Sequence, residues 1–396
     1  MCAMAKTRSS KRPKKAAEIS ENRGFFREDF SRLNYLLIFI PISIVLKLAL
    51  NDPLLVFGTA AIAIIPLAGL MGRATEEIAL HTTPTMGGLL NATFGNATEL
   101  IIALVAIREA VVNPAIRESM FQVVKASITG SIIGNILLVF GISLLAGGLK
   151  HKVQTFSVKQ AQMASSVMTL AVIGLLIPTM WDLFPSFDQD ATVLEEVSLA
   201  VAGVMVALYI LSLVFSLVTH KDVLGTGMEK MKEVHAKDET REKARWSKAL
   251  SLGVLLGTTA LVALMSEILV GSIGGATHDL GLSELFVGVI IIAIIGNAAE
   301  HSTAVTMALK NKMDISLTIA TGSSAQIALL VTPIIVFASL LMGAPMTLVF
   351  FPFEIVAIAV AVVVMNMVSL DGESNWFEGC ELLGVYIILA IMFFFH

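Results

Sequence analysis

Eleven long apolar stretches separated by short polar ones constrain this chain more than any motif does. They lie near residues 33–50, 54–72, 83–107, 120–148, 160–180, 196–219, 248–270, 282–308, 316–342, 346–369 and 379–395. Most reach the ~20 residues that carry a helix across a bilayer. In lipid every backbone N–H and C=O must find its partner inside the protein, and single apolar segments achieve that as helices. Composition agrees: 56% of the residues are hydrophobic and 15% charged, against about 25% charged in soluble domains. The expected fold class is therefore all-α integral membrane, with eleven transmembrane helices.

Loop charges orient these helices. Residues 1–32 carry Lys6, Arg8, Lys11, Arg12, Lys14, Lys15, Arg23, Arg27 and Arg32, the pattern of a solvated basic tail. The run 33–50 is longer than a signal-peptide core and lacks a small-residue cleavage site, so it reads as a retained first span. With the tail in the cytoplasm, the same side receives Lys150, Lys152, Lys159, Lys310, Lys312 and the loop 220–248. The opposite side receives 181–196, with five acidic residues and no Lys or Arg, as the positive-inside rule expects. Arg108 and Arg117 are exceptions on that outer side, and 73–81 reads as either a helix extension or an interfacial turn. The net charge of −4 is too small to point to a partner, and Cys2 and Cys380 form no framework or metal spacing.

One phrase occurs twice. Gly95-Asn96-Ala97-Thr98-Glu99 lies in the third span and Gly296-Asn297-Ala298-Ala299-Glu300 in the eighth, five crossings later, so the two run through the membrane in opposite directions. Each is followed by a span with a Gly-Ser pair: Thr129-Gly130-Ser131 with Asn135, and Thr321-Gly322-Ser323-Ser324 with Gln326. The organisation expected is a tail (1–32), a first span (33–50), a five-helix repeat (51–219), a cytoplasmic linker (220–248) and an inverted five-helix repeat (249–396). Transporters built in this way hold their substrate near the midplane, where broken helices of the two halves meet.

The residues themselves point to a cation. A charged side chain at the centre of a membrane helix costs roughly 2.5–3.5 kcal/mol even on lenient scales, so Glu99 and Glu300 need a function to explain them. On a helix Asn96 shares a face with Glu99, and Asn297 with Glu300. The glycine before each asparagine weakens the helix and frees carbonyls, tolerated at this depth only inside protein or along a cavity. Carboxylate, amide, hydroxyl and carbonyl oxygens favour a hard cation over zinc or copper, and two anionic groups suit a divalent one. Two carboxylates in low dielectric do not both stay charged without a cation between them, so protons and cation compete for the same oxygens.

The runs from Gly87 through Glu99, from Gly296 to His301 with Lys310-Asn311-Lys312-Met313-Asp314 after it, from Gly322 to Pro333, and Asp371-Gly372-Glu373-Ser374-Asn375-Trp376 resemble the calcium/proton exchangers of the calcium/cation antiporter superfamily. The resemblance covers most of the chain after the tail. It implies a one-plus-five-plus-five arrangement in which Ca2+ is the transported substrate, Glu99 and Glu300 are shared calcium and proton ligands, and Asn96, Asn297 and Gln326 are partners. Ser131 and Ser323 follow as further ligands, with no cofactor and no nucleic-acid partner. The linker departs from the acidic type of many members, since 221–245 mixes both signs and reads as a solvated charged helix.

Other residues have simpler expectations. Thr129 and Thr321 divide between helix packing and the site, and His301 between a helix interface and a proton relay. Glu76 and Glu77 suggest a solvated helix end, while Glu267 and Glu354 have no evident role. An enzyme is disfavoured by the absence of HExxH, G-x-S-x-G and P-loop motifs. A sodium-coupled calcium exchanger is the competing reading and a channel a weaker one, since inverted repeats point to alternating access. Short loops favour a cell membrane over a vacuolar one.

Overall fold

The computed structural model describes residues 32–184, 190–219 and 244–396. The first run of helices comprises α1 (Leu33–Ala49), α2 (Pro53–Leu80), α3 (Pro84–Phe94), α4 (Ala97–Val112), α5 (Pro114–His151), α6 (Val158–Leu183) and α7 (Ala191–Thr219). The second comprises α8 (Lys248–Val270), the short α9 (Ile273–Leu280), α10 (Glu284–Gly296), α11 (Ala298–Leu309), α12 (Met313–Leu341), α13 (Pro352–Val368) and α14 (Trp376–Phe395). Among the described residues seven helices are long and apolar enough to cross a membrane, or eight if α9 and α10, bent by 113°, form one span. The basic tail, the linker through residue 243 and the outer loop 185–189 lie outside the described residues.

Three expected spans are corrected. The third is two helices, because Asn96 (φ −104°, ψ 26°) leaves helical geometry between α3 and α4. The eighth breaks in the same way at Asn297 (φ −91°, ψ 5°). Glycine and asparagine both favour helix ends over helix interiors. In the tenth, the stretch before Pro352 is extended instead of helical, with Ala344, Met346, Leu348 and Phe350 buried at alternate positions. Its N–H groups are met by side chains: Leu348 donates to Ser198 Oγ at 3.0 Å and Phe350 to Thr179 Oγ1 at 3.0 Å. The segment 73–81 is a helix extension, since α2 runs to Leu80.

α5 and α12, which carry the Gly-Ser pairs, sit among the most buried of the long helices, whereas α7 and α14 leave most of their apolar surface outward. α2 packs along α8, and α5 along α10. Both α5 and α12 widen into π-helical turns just beyond their site residues, at Gly134–Val139 and Ile327–Val331. On the side expected to be cytoplasmic, β1 (Val153–Thr155) pairs antiparallel with β2 (Glu373–Asn375), tying the end of α5 to the start of α14.

Candidate functional site

The two helix breaks meet at the centre of the molecule. Each break starts a new helix, and each glutamate falls in its first turn: Glu99 in α4, Glu300 in α11. The exposed N–H groups and dipole of a helix start favour a carboxylate there. The glutamates then cross over. Glu99 Oε1 lies 2.8 Å from the point where a Cβ on Gly296 would be, and Glu300 Oε1 lies 3.4 Å from that point on Gly95. Each glycine thus leaves room for the carboxylate of the opposite half.

The amides are crossed as well. Asn96 Nδ2 donates to Gln326 Oε1 at 2.6 Å, and Ser323 Oγ donates to Asn96 Oδ1 at 2.8 Å. In the mirrored set, Asn297 Nδ2 donates to Ser131 Oγ at 2.9 Å and to the Ala293 carbonyl at 2.9 Å, while Asn135 Nδ2 reaches Asn297 Oδ1 at 3.4 Å. All seven residues singled out in the sequence are therefore brought together. The expectation that each asparagine shares a helical face with its glutamate is replaced by a different geometry, in which the asparagine stands at the break and the glutamate three residues into the next helix. Asn135 joins the set through its amide. Its place beyond the first Gly-Ser pair was the available signal, though Asn135 has no polar counterpart at Ile327.

One oxygen of each carboxylate, Glu99 Oε2 and Glu300 Oε2, is buried with no hydrogen-bond partner among the described residues. A buried acceptor in that condition is costly unless a cation or proton completes it. Among the described residues no group of three or more His, Cys, Asp and Glu side chains converges, so the donor set is two carboxylates filled out by amides and hydroxyls.

Among the described residues the site is reached through a cavity. A cavity of about 340 Å³ reaches Glu300, Ser323 and Gln326, and is walled by Gly88 and Asn91 of α3, Gln160 of α6 and Thr318 of α12. These residues lie toward the end of the bundle that carries Lys150, Lys159 and Lys310. Gly322 has open space where a Cβ would be. On the other side Gly130 is packed so tightly that a Cβ would overlap the Val289 carbonyl of α10, and a Cβ on Gly288 would lie 2.5 Å from that of Ala126. Glu99 is accordingly sealed at 7% exposure, while Glu300 is half-buried at the cavity floor.

The profile of the family described as sodium/calcium exchanger protein matches residues 53–218 and 250–395. The chain belongs to that family. It is 49% identical over 366 residues to a Ca(2+)/H(+) antiporter of Aphanothece halophytica, covering 91% of this chain and 95% of the relative. It is 42% identical over 356 residues to the Ca(2+)/H(+) antiporter ChaA of Bacillus subtilis, covering 90% and 96%. The solved structure of native YfkE superposes with a TM-score of 0.77 at 38% identity, over 92% of this chain and 100% of that one. Within the exchanger family the chain falls with the calcium/proton exchangers, as its motifs suggested.

Three other motif residues of this exchanger join helix ends. Asp314 Oδ1 accepts from Ser157 N at 2.6 Å, Asn311 Oδ1 accepts from Gln154 Nε2 at 2.9 Å, and the Gly372 carbonyl accepts from Phe156 N at 2.8 Å. Together they lace the ends of α5, α6, α12 and α14. Glu77 overturns its expectation as part of a solvated helix end: it is buried and accepts from Trp246 N at 3.1 Å, while His81 Nε2 meets the Trp246 carbonyl at 2.8 Å. Glu76 is exposed, as expected. Arg108, an exception to the charge rule, pairs with Glu267 at 3.0 Å between half-exposed side chains. Thr129 leaves the central set and donates to Glu354 Oε1 at 2.9 Å. His301 is half-buried one residue beyond Glu300.

Proposed function

We propose that this protein exports Ca2+ from the cytoplasm in exchange for H+, by alternating access across one site shared by two inverted repeats. The observation that carries the reading is the crossing of the two glutamates: each lies against the glycine of the other half and keeps one buried oxygen without a partner. Ca2+ takes six to eight oxygen ligands and tolerates irregular geometry, so carboxylates, amides and hydroxyls from four helix segments suit it. Glu99 and Glu300 are the calcium ligands and proton carriers, with Asn96, Asn297, Gln326, Ser131 and Ser323 completing or supporting the site. When Ca2+ leaves, two protons can neutralise the pair, and the site returns without unpaired buried charge.

The layout proposed is one span (33–50) plus five (51–219) plus five (249–396), with the linker between. α1, the broken pairs α3–α4 and α10–α11, and α13 count as spans alongside the seven longer helices. The correspondence of α2 with α8, of the two helix breaks and of the π-helical turns of α5 and α12 supports that layout. In this frame the cavity is the cytoplasm-open state, and the Gly130–Val289 contact closes the outer side. A cell membrane is the favoured location, on the short loops. Sealed vesicles test the function: an imposed pH gradient drives Ca2+ uptake without sodium, and Glu99→Gln or Glu300→Gln each abolishes it. Full activity in either variant, or uptake that needs sodium and ignores the pH gradient, overturns the proposal.

A further inference from the structure

Resting on the inverted-repeat reading above, we propose that Glu354 is a cation-contacting residue of the outward-open passage, the outer counterpart of Gln160 in the cytoplasm-open cavity. The two residues hold the same place in their repeats. Gln160 is the third residue of α6 after its cap Ser157, and Glu354 the third residue of α13 after its cap Phe351. Each helix follows the Gly-Ser helix of its own half. Each residue bonds a threonine on the Gly-Ser helix of the other half: Gln160 Nε2 donates to Thr318 Oγ1 at 2.6 Å, and Thr129 Oγ1 donates to Glu354 Oε1 at 2.9 Å. Thr318 stands one helical turn before Thr321, the repeat equivalent of Thr129, on the same face.

Their surroundings differ as the two sides of the molecule differ. Gln160 walls the open cavity beside Gly322, which has free space. Glu354 is 2% exposed beneath the closed side, where Val289 is pressed onto Gly130, the residue after its partner Thr129. If the halves exchange conformations, the α3 wall moves onto Gly322 and the α10 wall leaves Gly130, so Gln160 is buried and Glu354 uncovered. A carboxylate costs more to bury than an amide. A mere brace at this position would be served by glutamine, as it is at Gln160, whereas a carboxylate gives the outer passage a ligand for Ca2+. While the passage is shut, Oε2 accepts from Phe351 N at 2.9 Å, and half-buried Lys125 on α5 supplies positive charge, with Glu118 and Asp182 the other charged groups around that lysine.

The test is transport by the full chain in oriented vesicles, with Ca2+ offered to one face at a time under a fixed opposing pH gradient. Glu354→Gln is expected to raise the half-saturating Ca2+ at the outer face by about fivefold or more and to leave the cytoplasmic value within about twofold. Gln160→Glu, the mirrored change, is expected to lower the cytoplasmic value. An equal shift on both faces, or none, overturns the proposal while leaving the exchange reading intact; absence of proton-driven Ca2+ movement in the unmodified protein overturns the exchange reading itself. A second measurement is independent of the carboxylate. Ala357, fully buried one turn beyond Glu354, corresponds to Met163 of the cavity wall. With Cys2 and Cys380 replaced by Ser, Ala357→Cys is expected to react with a membrane-impermeant thiol reagent from the outer face during turnover and not from the cytoplasmic face. No outer labelling, or labelling from the cytoplasmic face instead, overturns the proposal.

Discussion

At Gly296 a methyl group would sit 2.8 Å from Glu99 Oε1, so Gly296→Ala pushes aside a carboxylate that belongs to the opposite half. The expected outcome is a loss of Ca2+ transport of about tenfold or more with expression retained, against a change within about twofold for Gly203→Ala, where a Cβ meets nothing. Under the proposed competition of protons and Ca2+ for Glu99 and Glu300 the sign of the pH dependence is fixed: acidifying the cytoplasmic face is expected to raise the half-saturating Ca2+ there. Where the free site is fully protonated the rise is about tenfold per pH unit if one proton must leave and about a hundredfold if two must, so the slope of uptake against pH reads the stoichiometry. Away from the site, Glu77→Ala removes the acceptor for a buried backbone N–H of Trp246. It is expected to cost about 1–3 kcal/mol, read as a lower thermal midpoint in detergent. That these seven polar residues gather in one place was legible because polar side chains in an apolar span have few innocent uses. The burial of Glu77 was not, since its partner lies 169 positions away and nothing local distinguishes a buried helix end from a wet one.

α5 and α10 touch backbone to backbone on the closed side, while their counterparts α12 and α3 stand apart around the cavity. Gly130 is engaged by Val289, whereas a Cβ on Gly322 would meet nothing. Gly130→Val is therefore expected to hold the outer side open and Gly322→Val to hold the inner side open. Both stop exchange, but in opposite states, which single-face labelling of cysteines placed along α3 and α10 will distinguish. The breaks at Asn96 and Asn297 were half legible: a glycine before each asparagine signalled weakness, yet periodicity still allowed one continuous helix. The π-helical turns of α5 and α12 were not legible at all, because one extra residue per turn leaves no trace in an apolar run. The extended stretch before Pro352 was missed for the same reason, its hydropathy being that of a span.

Taken as a whole, the molecule is two halves that lend each other their polar partners. Asn96 relies on Gln326 and Ser323, Asn297 on Ser131 and Asn135, and each glutamate on the other half's glycine. The inverted order proposed for the halves rests on two matched phrases and loop charge, because direction through the membrane follows from counting crossings. Which side stands open could not be read, since alternating states of one protein share one sequence. The borrowing also has a consequence for how the protein is made. Glu99 and Glu300 are separated by about 200 residues, and a ribosome adding about 5–20 residues per second needs roughly 10–40 s to cover them. Throughout that interval the first half lies in the bilayer with Asn96 and Ser131 lacking the groups that will satisfy them. Newborn chains stalled there present to membrane quality control a polar seam that the finished exchanger never shows.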